Sequence, residues 1–325
     1  MLHVGGGLVL TWRRQEQQRR TLFLLSLLAM GLGLLLGMAY CGPPEPSPEV
    51  PLSITVQWPD GTQSAVELES FLVGVVAAEM PASFHPQALQ AQAIAARTYV
   101  VRQQLAGKHG TAAVCCDSAC CQAWRSKEDL EDQWGEAFST YWAAVSAAVE
   151  ATAGQVLTMD GQLIDAVFCS TCGGMTEDVE AVWGSPRSYL TAHTCAYCTH
   201  SPRYSGWQRF SLVEAAERLE TTPDQIRQMK VLDYTPGGRV AAVDLGEQQW
   251  KGTEVRSRLG LDSAAFSWLI QGEELVVLTL GYGHGVGLCQ YGADGMGDAG
   301  YTYAEILEAY YPGTSVGQAA DFLLN

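Results

Sequence analysis

The twenty residues from Thr21 to Tyr40, TLFLLSLLAMGLGLLLGMAY, carry no charge. A helix of that length rises about 30 Å, the thickness of a bilayer's hydrocarbon core. The run leaves no polar face for a globular helix, so it divides the chain before any fold is considered. Arg13, Arg14, Arg19 and Arg20 precede it, and a basic flank predicts a cytoplasmic N-terminus. The expected organisation is a cytoplasmic segment over 1–20, a single transmembrane anchor over 21–40, and the rest of the chain outside the membrane. A cleaved signal peptide is the competing reading. Its apolar region would be unusually long, and Tyr40 before Cys41 is a poor residue for cleavage or lipidation. Residues 41–51, CGPPEPSPEVP, are proline-rich and read as a stiff spacer. A folded domain is therefore expected over 52–325.

Overall, 47% of the residues are apolar, as in an ordinary globular protein. The charge is less ordinary: 19 − 35 = −16 for the chain, and 15 − 34 = −19 without the four arginines and Glu16 that precede the anchor. So acidic a chain is not drawn to nucleic acid or to anionic lipid surfaces, and its partners are expected to be neutral or cationic.

Turn signals punctuate the remainder. LSITVQWPDGTQSAVEL alternates around Asp60-Gly61 and predicts a hairpin, and VLTMDGQLIDAVF predicts another with a type I′ turn at Asp160-Gly161. VLDYTPGGRVAAVDL predicts a third. LESFLVGVVAAEM is an apolar helix stopped by Pro81, and Pro86 opens the longer helix PQALQAQAIAARTYVVRQQL. Ser126 and Asp129 form a capping box before a helix from about Lys127 to Thr152. SLVEAAERL and TYAEILEAYY are shorter helices, and GYGHGVGLCQYGADGMG between them is Gly-rich. Hairpins and helices come in blocks, which predicts a single mixed α+β domain rather than a βαβ fold.

Eight of the ten cysteines form two groups of four. The first, Cys115, Cys116, Cys120 and Cys121, has His109 six residues upstream. The second joins Cys169-x-x-Cys172 to Cys195-x-x-Cys198, and two such knuckles have the spacing to wrap one tetrahedral ion. Zinc, disulfides in an oxidising compartment, and an iron–sulfur cluster all remain open for it.

Glu79 ends an apolar helix before a proline turn, and no other acidic residue follows until Asp117. Among Val75, Val76, Met80 and Phe84, desolvation would raise its pKa and suit it to general-acid work. The plainer reading is an exposed Glu at a helix end. The surrounding FLVGVVAAEMPASFHPQALQAQAIAARTYVVRQ resembles the signature of the stage II sporulation protein D family, which includes the amidase enhancers. CQAW, FCSTCGGMTEDVEAVWG, GTEVRSRLGLDSAAFSW and GYGHGVGLCQYGADGMGDAGYTYAEILEAYYPG match in order.

The resemblance implies a lytic transglycosylase of the bacterial cell wall, cutting peptidoglycan glycan strands that lack stem peptides, with Glu79 as its catalytic acid. It implies that Arg97, Ser170, His284, Gln290 and Tyr291 contribute to substrate binding, Arg97 by bonding an N-acetyl carbonyl or by steering Glu79. For Arg97 a structural role, and for His284 a role in ordering the Gly-rich loop, are the alternatives. Some relatives hold zinc just before the CQ-aromatic motif, which implies His109, Cys115, Cys120 and Cys121 as ligands and leaves Cys116 spare. Cys120 stands where the family pattern can show a histidine. Two other readings compete: a non-catalytic glycan-binding protein that enhances a wall amidase, and a membrane-tethered iron–sulfur or redox protein.

Overall fold

The computed structural model describes residues 51–324, except Ala119 and Glu247. The expected cytoplasmic segment, the anchor over 21–40 and nearly all of the linker lie outside the described residues. Among the described residues, no helix is long and apolar enough to cross a membrane.

Strands β1 (Ser53–Gln57) and β2 (Gln63–Glu67) form the first hairpin, and β3 (Val114–Cys115) runs parallel to β1 on its other side. Helix α1 (Leu68–Glu79) starts directly from β2. The Glu67 carboxylate caps it by accepting from the amides of Glu69 and Ser70. It ends at Met80 because the residue before a proline is pushed out of the helical region. Helix α2 (Pro86–Ala106) opens with proline in its first turn and closes on Gly107 in the left-handed conformation. Buried residues from Ala88 to Val101 surround it on every face, so α2 is the axis of the main core.

The expected helix 127–152 is two helices. Gly135 leaves helical geometry (φ 51°, ψ −122°), which separates α3 (Lys127–Trp134) from α4 (Phe138–Ala151). The second expected hairpin forms between β4 (Gln155–Met159) and β5 (Gln162–Leu163), with Asp160 and Gly161 both at positive φ. The short strand β6 (Phe168–Cys169) and helix α5 (Val179–Trp183) follow.

The chain then leaves the main core and builds a second one. Strand β7 (Ser205–Ser211), helices α6 (Leu212–Arg218) and α7 (Pro223–Gln228), strands β8 (Lys230–Tyr234), β9 (Val240–Asp244) and β10 (Gln249–Lys251), helix α8 (Gly252–Leu259) and strands β11 (Phe266–Gln271) and β12 (Glu274–Leu280) make two three-stranded antiparallel sheets with helices between them. Phe210, Ile226, Val243, Val255 and Leu275 fill this smaller core. The Gly281 amide donates to the Tyr204 carbonyl at 2.8 Å, so the lobe enters and leaves through one doorway. The mixed α+β character expected from the sequence is present, but around two cores rather than one.

Back in the main core, β13 (Leu288–Cys289) pairs in parallel with β6. The Gly-rich segment, expected to be a loop, forms helix α9 (Gln290–Asp298). Its glycines serve close packing: a Cβ at Gly295 would strike the Tyr197 carbonyl, and one at Gly297 would lie 2.5 Å from the His85 ring. Helix α10 (Tyr303–Tyr310), strand β14 (Ser315–Gln318) against β4, and helix α11 (Ala320–Leu323) complete the chain.

Candidate active site

A cleft of about 700 Å³ opens at the C-terminal end of α1. The proline turn after α1 swings the chain away and leaves Glu79 at the cleft wall. Its Oε1 accepts a 2.6 Å hydrogen bond from the Ala123 amide. Burial nevertheless outweighs that bond and raises the Glu79 pKa above the ordinary glutamate value. Among the described residues that line this cleft, Glu79 is the sole carboxylate.

Ser170, His284, Gln290 and Tyr291 line the same cleft, although they lie 91 to 212 residues further along the chain. Ser170 follows β6, and Gln290 and Tyr291 open α9. The parallel β6–β13 pairing and the bond from the Tyr291 amide to the Ser170 carbonyl (3.1 Å) hold the two segments side by side. Phe84 packs edge-on against Tyr291 at 4.8 Å and ties that ring to the turn after Glu79. Burial, aided by the Arg256 cation, pushes the His284 pKa down to about 4, so the ring is neutral at physiological pH. Its Nδ1 accepts from the Val286 amide, and Trp183 lies against the ring at 5.0 Å. His284 therefore both orders the glycine loop and faces the cleft.

Arg97 does not line the cleft. It is 0% exposed, with Nη2 2.6 Å from the Glu69 carboxylate and further bonds to the carbonyls of Val149 and Gln155. A fully buried guanidinium needs a carboxylate and several acceptors, and Arg97 uses its donors on the frame joining α1, α4 and β4. Of the roles the sequence left open for it, these contacts favour the structural one.

The structure brings His109, Cys115, Cys120 and Cys121 together, their ligand atoms all within 4.8 Å of one another. His109 Nε2 lies 3.1 Å from Cys121 Sγ and 3.8 Å from Cys120 Sγ. Tetrahedral zinc with sulfur at about 2.3 Å sets ligand edges of about 3.5–3.8 Å, so this mixed nitrogen–sulfur set fits the ion. Cys116 is outside the group. Cys120 and Cys121 also line the cleft, and two residues later Ala123 grips Glu79. The second gathering differs from the expected one: it is Cys172, Cys195, Cys198 and Cys289, with Cys169 replaced by Cys289. Cys169 sits on β6 beside Cys289 on β13, and the strand directs it to the cleft.

Several cleft residues lie in the stretches that resemble the family but were given no role from the sequence. Gln122 is buried, and neither of its amide atoms has a hydrogen-bond partner among the described residues. Trp183, 52% exposed, and Tyr282, 42% exposed, present aromatic faces on the rim. A neighbouring cavity of about 590 Å³ shares Trp183, Gly283 and His284 with the cleft and reaches toward Arg256 and Lys251. Exposed aromatic rings, neutral polar groups and one protonatable carboxyl suit an uncharged, hydroxyl-rich chain.

A family model described as Stage II sporulation protein matches residues 61–159. The stage II sporulation protein D of Bacillus subtilis (strain 168) is 38% identical over 262 residues, spanning 79% of this chain and 76% of that protein. The stage II sporulation protein D of Bacillus amyloliquefaciens is 35% identical over 282 residues, 85% of this chain and 81% of that protein. The amidase enhancer of Bacillus subtilis (strain 168) is 27% identical over 304 residues, 75% of this chain and 40% of that protein.

Proposed function

The chain belongs to the stage II sporulation protein D family, and from that premise we propose that it is a membrane-anchored lytic transglycosylase that cuts peptidoglycan glycan strands during sporulation-linked wall remodelling. The observation that carries the proposal is Glu79: the single carboxylate among the described residues lining the cleft, with burial raising its pKa. Most glycosidases need two carboxylates, because a water must be activated or an intermediate formed. A lytic transglycosylase needs one. Protonated Glu79 gives its proton to the glycosidic oxygen as the bond from C1 to that oxygen breaks. The Glu79 carboxylate then takes the proton of the same sugar's C6 hydroxyl while O6 bonds to C1. A 1,6-anhydro ring closes, Glu79 is protonated again, and no water enters.

Ser170, Gln290 and Tyr291 would bond or stack on the sugars, and Gln122 offers both an amide donor and an acceptor to an N-acetyl group. Zinc held by His109, Cys115, Cys120 and Cys121 would be structural, a closed four-ligand site with no open position. These ligands would pin the loop from which the Ala123 amide holds Glu79. The anchor over 21–40 would keep the domain at the outer face of the cytoplasmic membrane, within reach of a wall amidase that works on the same strands.

The test is incubation of the full chain with glycan strands stripped of stem peptides, with products read by mass spectrometry. Anhydro-muramoyl ends, lost in Glu79→Gln, are the expected result. Reducing ends would identify a hydrolase. Binding without cleavage at any pH would overturn catalysis in favour of a glycan-binding amidase enhancer, as the name of the amidase enhancer relative suggests.

A further inference from the structure

We propose that Cys172, Cys195, Cys198 and Cys289 form a second, wholly buried tetrathiolate zinc site that clamps together the two chain segments forming one wall of the cleft. The four sulfurs come from three separate segments: the turn after β6, the knuckle at 195–198, and the N-cap of α9. All lie within 4.8 Å of one another, with Cys172 Sγ and Cys198 Sγ 3.7 Å apart. A zinc tetrathiolate has sulfur edges of about 3.8 Å, whereas a disulfide joins two sulfurs at about 2.05 Å and leaves the other two out.

The surroundings are those of bound thiolates. Cys289 Sγ accepts from the amides of Cys172 (3.2 Å) and Gly292 (3.3 Å), and Cys195 Sγ lies 3.1 Å from the Tyr310 hydroxyl. Arg239, 3% exposed, reaches in from the second lobe and donates to the Cys172 carbonyl at 3.0 Å. Backbone amides and a hydroxyl of this kind offset part of the negative charge that four thiolates impose on one divalent ion, while the Arg239 cation is paired with the buried Glu177 carboxylate at 3.7 Å. Space is also reserved: a Cβ at Gly292 would strike the Tyr310 hydroxyl and lie 2.6 Å from Cys195 Sγ. Loading is an exchange in which one Zn²⁺ binds four thiolates and four protons pass to solvent, with no change of oxidation state.

The position gives the site a purpose. Cys172 is two residues after Ser170, and Cys289 immediately precedes Gln290 and Tyr291. The ion would lock Ser170 beside the start of α9 and so fix the shape of that wall of the cleft. It is distinct from the His109 group, whose Cys120 and Cys121 line the same cleft, and it stands whether or not the cleft is catalytic.

The experiment is metal analysis of the full chain, purified under reducing conditions without chelator, in a His109→Ala/Cys121→Ser background that removes the first group. About one zinc per chain is expected, falling to near zero when Cys289→Ser is added, while Cys169→Ser retains the metal. Where Cys289→Ser fails to fold, the background protein still decides. In it Cys172, Cys195, Cys198 and Cys289 are expected to resist alkylation in denaturant until a chelator is present, and cobalt uptake to give the charge-transfer bands of a tetrathiolate. Iron in place of zinc, a metal-free protein whose four thiols react at once on unfolding, or alkylation of the four only after reduction would each overturn the proposal.

Discussion

Glu69 and Glu79 share a helix and meet different fates. Glu69 neutralises the buried Arg97, whereas Glu79 faces a cleft and a single backbone amide. Glu79→Gln keeps an amide oxygen for the Ala123 N–H but has no proton to give, so strand cleavage is expected to fall by about 10²–10⁴-fold or more. The sign for stability runs the other way. With its folded pKa raised, Glu79 contributes stability below the ordinary glutamate value of 4.5, and that contribution is lost as pH rises through the raised value. Glu79→Gln should therefore melt higher than the wild type on the alkaline side of that titration and alike on the acid side, as thermal scans across pH would show. For Arg97 the expectation is structural. Glu69→Gln leaves a buried guanidinium uncompensated and should cost about 3 kcal/mol in denaturant unfolding. If the Arg97–Glu69 pair instead served the substrate, the variant would lose activity at unchanged stability. Gln122 lies between these cases. Its amide is unpartnered, so Gln122→Met should leave stability unchanged or raise it, while KM for glycan increases by about tenfold.

Helices α1 and α2 follow local rules of capping and proline placement, and their ends fall where those rules put them. The sequence was misleading where glycine carries two meanings. Gly135 breaks a helix by its conformation, whereas the glycines of α9 permit a helix to pack where no side chain fits. A single sequence does not separate the two uses, because the deciding atoms belong to Tyr197, His85 and Tyr310, which lie on other segments of the chain. Gly74 in α1 is of the second kind. A Cβ there would collide with the Trp124 indole and lie 2.6 Å from the Arg125 carbonyl. Gly74→Ala gains about 1 kcal/mol of helix propensity but must displace the segment that carries Ala123. A net loss of about 1–3 kcal/mol is expected in unfolding, with a fall in cleavage rate as Glu79 loses its amide.

At the scale of the molecule, two cores share one chain. Leu275→Ala empties part of the smaller core and should cost about 2–5 kcal/mol locally. Hydrogen exchange would then rise across 205–280 while α2 stays protected; equal loss in both would show a single cooperative unit. The inserted lobe was legible only as a series of hairpins and short helices. Nothing in their periodicity says which core they join, since an apolar face reports burial and not the partner that buries it. The cleft glutamate, the gathering of His109 with Cys115, Cys120 and Cys121, and the Gly-rich cleft segment were legible because each lies in a short stretch of the family signature. For Arg97 the sequence left two roles open, because its position in the signature says nothing of which way its side chain points. Cys289 was passed over because it lies 91 residues from Cys198 with no knuckle of its own. The sequence by itself determined the ends of α1 and α2, the hairpin turns, the acidic charge and the family. The tertiary structure alone decided which cysteines meet, that Arg97 is buried against Glu69 away from the cleft, and that Glu79 is the sole carboxylate among the described residues lining it. Those outcomes depend on distances between segments 28 to 212 residues apart, and only packing sets such distances.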